Sequence, residues 1–317
     1  MRFCLLPILV LGLLAWELPA QEQPRPDAPG FRVAAYLPEY RAADFEPRLA
    51  RLLTDLILFS VEPTETGEIQ ISRLKKFPLD QLRAWKTKER VRLILSIGGW
   101  ERSKHFAVVA TSPEKRQTFV KEVVKLCLDE RLDGIDLDWE HPRDAAEQEG
   151  YAALLTELRA AFQPHGLLLS VTIAGWQKMP KEAFAAVHWV QVMSYDHDGE
   201  HATFEAAIAD VKAVRDAGAP AEKIVLGVPF YGRDTTRRNR TLTYREIIAR
   251  HDPKPDVDLI DSIYFNGPAT ITRKTEYALE SRLGGVMAWE LGLDVPTERS
   301  LLRAIDAAVR KNETGGK

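Results

Sequence analysis

The chemistry of this 317-residue chain is concentrated between Leu132 and Glu140, which read Leu-Asp-Gly-Ile-Asp-Leu-Asp-Trp-Glu. The alternation of apolar and acidic residues predicts a β-strand, in which successive side chains point to opposite faces. Asp136, Asp138 and Glu140 then share one face, and Ile135, Leu137 and Trp139 the other. Because the apolar set claims the core, the acids cannot be an idle solvated face, and burying unpaired carboxylates is costly. Stacked acids raise one another's pKa values, so at least one should hold a proton near neutral pH. Glu140, last in the row, is the candidate general acid, able to protonate a leaving oxygen. Asp138, one pleat below, can share a proton with either neighbour. Ser96 offers a small hydroxyl partner and is followed by the close-approach pair Gly98-Gly99.

Such a ladder needs a scaffold, and the rest of the chain supplies one. Short β-branched runs fall at 32–37, 55–61, 91–97, 132–139, 167–174, 189–195, 224–230 and 285–289. Between them, apolar residues at spacings of three and four predict helices over 113–130, 147–162, 203–217, 269–282 and 296–310. Ser112 and Pro113 make a well-formed helix start. Strands alternating with helices imply a parallel sheet, and eight of them imply an α/β fold closed into a (β/α)8 TIM barrel, with the acids at its C-terminal mouth. The alternative, an open doubly wound sheet, lacks a GxGxxG fingerprint after the first strand. The expected organisation is one domain over 31–311 with a short insertion between strands seven and eight, then a tail over 312–317.

Asp133-x-x-Asp136-x-Asp138-x-Glu140 resembles the signature of glycoside hydrolase family 18, the chitinases and their relatives. Four further segments resemble that family in the same order. They are Ser96-Ile97-Gly98-Gly99-Trp100, Met193-Ser194-Tyr195-Asp196, Gly227-Val228-Pro229-Phe230-Tyr231-Gly232-Arg233 and Gly285-Val286-Met287-Ala288-Trp289-Glu290. The form resembled is a bacterial-type single catalytic domain. The resemblance implies cleavage of β-1,4-linked N-acetylglucosamine chains by substrate-assisted, retaining hydrolysis, in which the acetamido oxygen attacks the anomeric carbon. It implies Glu140 as acid and then base, Asp138 orienting the acetamido N–H, and Asp136 holding Asp138's proton at rest. Tyr195 would hydrogen-bond the acetamido group, and Tyr36 with Ser96 would support Asp136. Asp196, Tyr231 and Arg233 would meet sugar hydroxyls, and Trp289 would floor the distorted sugar. Asp133, Gly98, Gly99 and Met193 would support the site, and Trp100 and Trp176 would line outer subsites. Endo-acting hydrolysis of N-glycans or peptidoglycan, and a chitin-binding lectin on the same barrel, are the rival readings; the presence of Glu140 with both aspartates weighs against the lectin.

The remaining features bound the partners. A net charge of −3 with 28% charged residues argues against nucleic acid and suits a neutral saccharide. His141, His188, His197 and His201 show no metal-ligand spacing, and neither metal nor cofactor is expected. Arg2, the apolar run 3–16 and Leu18-Pro19-Ala20 read as a signal peptide over 1–20, too short to remain as a membrane span. A proline-rich linker follows over 21–30. Export to periplasm or medium is expected, with Cys127 then the one remaining cysteine, no internal disulfide and a monomer. Only 234–283 separate strand seven from strand eight, which predicts a reduced groove wall and an open cleft.

Overall fold

The computed structural model describes residues 30–237 and 239–315. The expected signal peptide, nearly all of the linker, Arg238 and the last two residues lie outside the described residues. Eight parallel strands close into a barrel: β1 Arg32–Pro38, β2 Asp55–Pro63, β3 Arg92–Gly98, β4 Gly134–Asp138, β5 Leu168–Ala174, β6 Trp189–Met193, β7 Ile224–Pro229 and β8 Gly285–Trp289. Each pairs with the next, and β1 pairs with both β2 and β8, so no edge is left.

Period-two alternation divides the side chains into two cores. Ile135, Leu137 and Trp139 join the shell between strands and helices, and Trp139 packs against Phe106 and Tyr151. Ala34, Ile57, Ile94, Leu168, Trp189, Val225 and Met287 fill the barrel interior. The N-terminal end is sealed by charge as well as by bulk. Asp55, fully buried, takes Arg92 at 2.6 Å and Arg32 at 3.4 Å, and the Arg32 guanidinium lies 3.9 Å from the centroid of the Trp189 ring.

Helices Pro113–Asp129, Ala145–Phe162, Phe204–Asp216 and Pro268–Glu280 lie within two residues of their expected ends. The last helix is different: it spans Leu301–Gly315, five residues later than expected at its start and running into the expected tail. Asp294 explains the start, because its carboxylate accepts hydrogen bonds from Leu301 N and Leu302 N at 3.0 and 3.1 Å. Among the described residues five helices escaped the apolar pattern, Pro47–Ala50, Leu79–Glu89, Phe106–Thr111, Lys181–Ala186 and Tyr244–His251; Leu79–Glu89 buries only Leu82, and the others are four to eight residues each. The insertion between β7 and β8 is a small antiparallel sheet of Tyr231–Asp234, Thr241–Thr243, Leu259–Ile260 and Ile263–Tyr264, with helix Tyr244–His251 capped by a Thr243–Glu246 box. Among the described residues no helix is long and apolar enough to cross a membrane.

Candidate active site

Asp136 is the anchor of the mouth. It is fully buried, and its Oδ1 accepts hydrogen bonds from Ser170 Oγ at 2.6 Å and Gln191 Nε2 at 2.9 Å. Its Oδ2 accepts from Tyr36 OH at 2.7 Å and Thr172 Oγ1 at 3.0 Å. These donors come from β1, β5 and β6, whose inward positions the barrel register brings level with β4. Burial lifts the Asp136 carboxyl above its ordinary range, and the four donors pull the other way. Tyr36 OH and Thr172 Oγ1 also lie 2.6 Å apart, so one hydroxyl can turn to the other and leave Asp136 able to take up a proton.

Asp138 has the opposite environment. It is buried, its Oδ1 has no hydrogen-bond partner, and burial with the charges of Glu140 and Asp136 pushes its pKa well above the carboxylate range. The geometry therefore puts the shared proton on Asp138. Glu140, at the rim, is raised to about 7 by burial and by the charge of Asp196, against a hydrogen bond from the Trp100 backbone. A carboxylic acid with that value is poised to give a proton near neutral pH and take one back. Two glycines with φ near +100° let β3 approach the acids. A Cβ at Gly98 would stand 2.3 Å from Asp138 O, and one at Gly99 would stand 2.4 Å from the Phe59 ring. Ser103 then ties the two strands, donating to Asp138 O at 3.1 Å and accepting from Glu140 N at 3.1 Å.

Above the acids opens a cavity of about 540 Å³ lined by Tyr36, Tyr40, Phe59, Arg73, Trp100, Glu101, Arg102, Asp138, Glu140, Thr172, Met193, Tyr195, Asp196 and Trp289. Trp289 is braced edge-on by Phe59 at 4.8 Å and tilted against Tyr36 at 5.3 Å, leaving it a half-buried apolar wall. Tyr195 fits under the rim because β7 carries Gly227, where a Cβ would come within 3.0 Å of the phenol ring. Asp196 is held by Tyr231 OH at 2.5 Å and Arg233 at 2.8 Å, with His201 at 3.7 Å. Tyr231 and Arg233 thus stand behind Asp196 and do not line the cavity.

Two expected members lie elsewhere. Ser96 sits beside Asp136 in register, but its buried hydroxyl has no hydrogen-bond partner, because both Asp136 oxygens are already engaged by β1, β5 and β6. Asp133 is at the opposite end of β4, where it accepts from Lys86 Nζ at 2.8 Å and Leu93 N at 2.6 Å; it staples the strand and is remote from the mouth. The residues not anticipated are Ser170, Thr172, Gln191, Ser103 and Arg102. The alternating hydroxyls of Ser170 and Thr172 on the strand after the acid ladder were the available signal. Arg102 binds Glu39 at 3.1 Å and Ser60 Oγ at 3.0 Å from a loop, where no periodicity marks it.

A closed parallel barrel whose C-terminal mouth holds a raised glutamic acid over two inner aspartates, beside an aromatic wall, defines a barrel hydrolase of the glycosidase class. Comparison with known proteins narrows the class. The chain belongs to the glycosyl hydrolases family 18, whose sequence profile matches residues 32–294. It is 25% identical over 341 residues to "Probable chitinase 2" of Drosophila melanogaster, covering 82% of this chain and 70% of that protein. It is 27% identical over 275 residues to "Chitinase 1" of Aphanocladium album, covering 68% of this chain and 65% of that protein. Among solved structures, the GH18 chitinase ChiB from the chitin utilization locus of Flavobacterium johnsoniae superposes with a TM-score of 0.78 at 29% identity, covering 88% of this chain and 94% of that one. Relatives come from insects, fungi and bacteria alike, so they define the family and not a bacterial subtype.

Proposed function

We propose that this chain hydrolyses β-1,4-linked N-acetylglucosamine chains, chitin or chitooligosaccharides, by substrate-assisted retaining catalysis. The observation that carries the reading is the buried, unpartnered Oδ1 of Asp138 between an anchored Asp136 and a proton-bearing Glu140. An acetamido N–H supplies the partner that this oxygen lacks. In the first step Glu140 gives its proton to the glycosidic oxygen as that bond breaks, and the acetamido oxygen closes on the anomeric carbon. Asp138 passes its proton to Asp136 and, as a carboxylate, stabilises the positive charge of the resulting oxazolinium ring, while Tyr195 orients the group. In the second step Glu140, now a carboxylate, takes a proton from water as the water opens the ring, which regenerates the acid. Trp289 floors the reacting sugar, with Asp196 on its hydroxyls. We propose also that 1–20 direct export, that cleavage follows Ala20, and that the barrel acts as a monomer outside the cytoplasm.

The experiment is digestion of tetra-N-acetylchitotetraose and of cellotetraose, with NMR of the newly formed anomer. The acetylated substrate should be cut with β configuration retained, and cellotetraose should be inert. Glu140→Gln should lower turnover by roughly 10²–10⁴-fold, the scale of general-acid loss. Efficient cleavage of cellotetraose would point to an enzymic nucleophile and overturn the mechanism.

A further inference from the structure

Asp196 lines the cavity with half of its side chain exposed, and three groups converge on its Oδ1. Tyr231 and Arg233 bind it directly, whereas His201 Nδ1 stops at 3.7 Å, beyond hydrogen-bond reach. His201 is fully buried, and among the described residues neither of its ring nitrogens has a hydrogen-bond partner. Buried polar atoms left unsatisfied are costly, so packing alone does not account for an imidazole at this place. The ring is clamped, tilted on Tyr231 at 5.1 Å and edge-on to Tyr264 at 6.1 Å. The next residue is fixed as firmly, since Ala202 O accepts from Asn266 Nδ2 and from Lys274 Nζ, both at 2.9 Å. His201 therefore sits on a rigid mount, with Nδ1 near a carboxylate that it does not bind.

The surroundings hold this ring neutral at ordinary pH. Burial lowers its pKa; Asp196 opposes that effect, and the charges of Arg233 and Lys274 add to it. The phenols of Tyr231 and Tyr264 stay neutral, because burial pushes both upward. Lys274, pushed down to about 7 by burial, is charged in acid and resists a second charge beside it. A cavity of about 130 Å³ lies against His201, lined also by His197, Asp234 and the exposed Asp198 and Gly199. Water in so polar a cavity can bring the ring its proton. Two of the cavity's ionisable groups are already engaged, His197 with Asp210 at 3.0 Å and Asp234 with Arg240 at 3.1 Å. An imidazolium formed here thus meets Asp196.

We propose that His201 is a positioning residue for Asp196. As a neutral ring it backs the carboxylate and leaves it to the hydroxyls of the sugar. As an imidazolium it becomes a donor, closes the gap to Oδ1 and draws the carboxylate away from the sugar, so substrate is held less well in acid. The inference rests on the reading of Asp196 as a hydroxyl-binding group of an N-acetylglucosaminidase, and its test has one arm that needs no turnover.

The first arm is the pH profile of kcat/KM on tetra-N-acetylchitotetraose for wild type, His201→Gln and His201→Phe, each also combined with Asp196→Asn. Phe keeps the ring between the two tyrosines, and neither replacement can be protonated, so either variant that folds serves. The acid limb should move down by about half a pH unit or more, while the alkaline limb, set by Glu140, stays in place. In the Asp196→Asn background the same substitutions should leave the acid limb where it is. An acid limb within about 0.2 unit of wild type, or a shift that persists with Asp196→Asn, overturns the proposal. The second arm follows the imidazole NMR signal that disappears in the His201 variants. It should titrate below the ordinary histidine value, and lower still in Asp196→Asn; a midpoint unmoved by Asp196→Asn also overturns the coupling. Coupling seen by NMR in a wild-type protein that cuts no substrate overturns the proposed activity instead.

Discussion

At the scale of single residues, the acid ladder divides into an anchor, a proton carrier and a donor. Asp136 is surrounded by donors, Asp138 is buried beside like charge with an unpartnered oxygen, and Glu140 stands at the rim. Neighbouring strands, more than local spacing, set these differences. The alternation in 132–140 was enough to place three acids on one face. It could not say which serines would reach them, because the partner depends on which adjacent strand points a hydroxyl at the right height. Ser96 and Ser170 flank Asp136 in register on opposite sides, and only Ser170 bonds to it. Removing the Ser170 hydroxyl strips a hydrogen bond from a buried charged group, worth about 1.5–3 kcal/mol. Ser170→Ala should therefore lower the melting temperature by several degrees, at roughly 2–4 °C per kcal/mol for a domain of this size. Ser96→Ala removes a buried hydroxyl without a partner and should be neutral or stabilising. Calorimetry of the two variants checks the contrast, and equal losses would return Ser96 to the site.

At the scale of elements, strand ends carry the function, and their loops are where the sequence was least legible. Four helices with a continuous apolar stripe were found to within two residues and the last one five residues early at its start, whereas Leu79–Glu89, which presents mostly polar side chains, was not found. The turn leaving β8 has its own titratable group. Glu290 is buried, accepts from Gly292 N at 2.9 Å and lies 3.5 Å from Arg41, and burial raises its pKa to about 7. Between the ordinary glutamate value and that raised value, the folded state binds more protons than the unfolded one. This group's contribution to stability is therefore complete at low pH and is lost as pH rises through about 7. Glu290→Gln cannot ionise, so its stability relative to wild type should grow from pH 5 to pH 8, by up to about 3 kcal/mol at 1.36 kcal/mol per pKa unit. Urea unfolding at the two pH values measures it. A variant penalty that is constant with pH would show that Arg41 keeps Glu290 ionised.

At the scale of the whole molecule, the wall that the insertion adds beside the mouth is built from short elements. The insertion after β7 is a sheet whose longest strand is Tyr231–Asp234, backed by the eight-residue helix Tyr244–His251. A polymer held by few stacked positions is released between cuts, since avidity grows with the number of linked contacts. Digestion of soluble, partly deacetylated chitin should accordingly give early products of mixed odd and even length. A dominant ladder of even-numbered products, the mark of repeated two-sugar steps, would mean a deeper track than this wall provides. The other end of the barrel is closed by Asp55, Arg32, Arg92 and Trp189, and the interior layers above them are packed. Substrate, water and products therefore enter and leave at the C-terminal mouth. The water that finishes a turnover thus comes in on the side from which the departing sugar leaves. A sugar slow to clear that side delays the water and stands ready to react in its place, which makes the rate of departure, as much as the acid, a determinant of whether chains are shortened or rejoined.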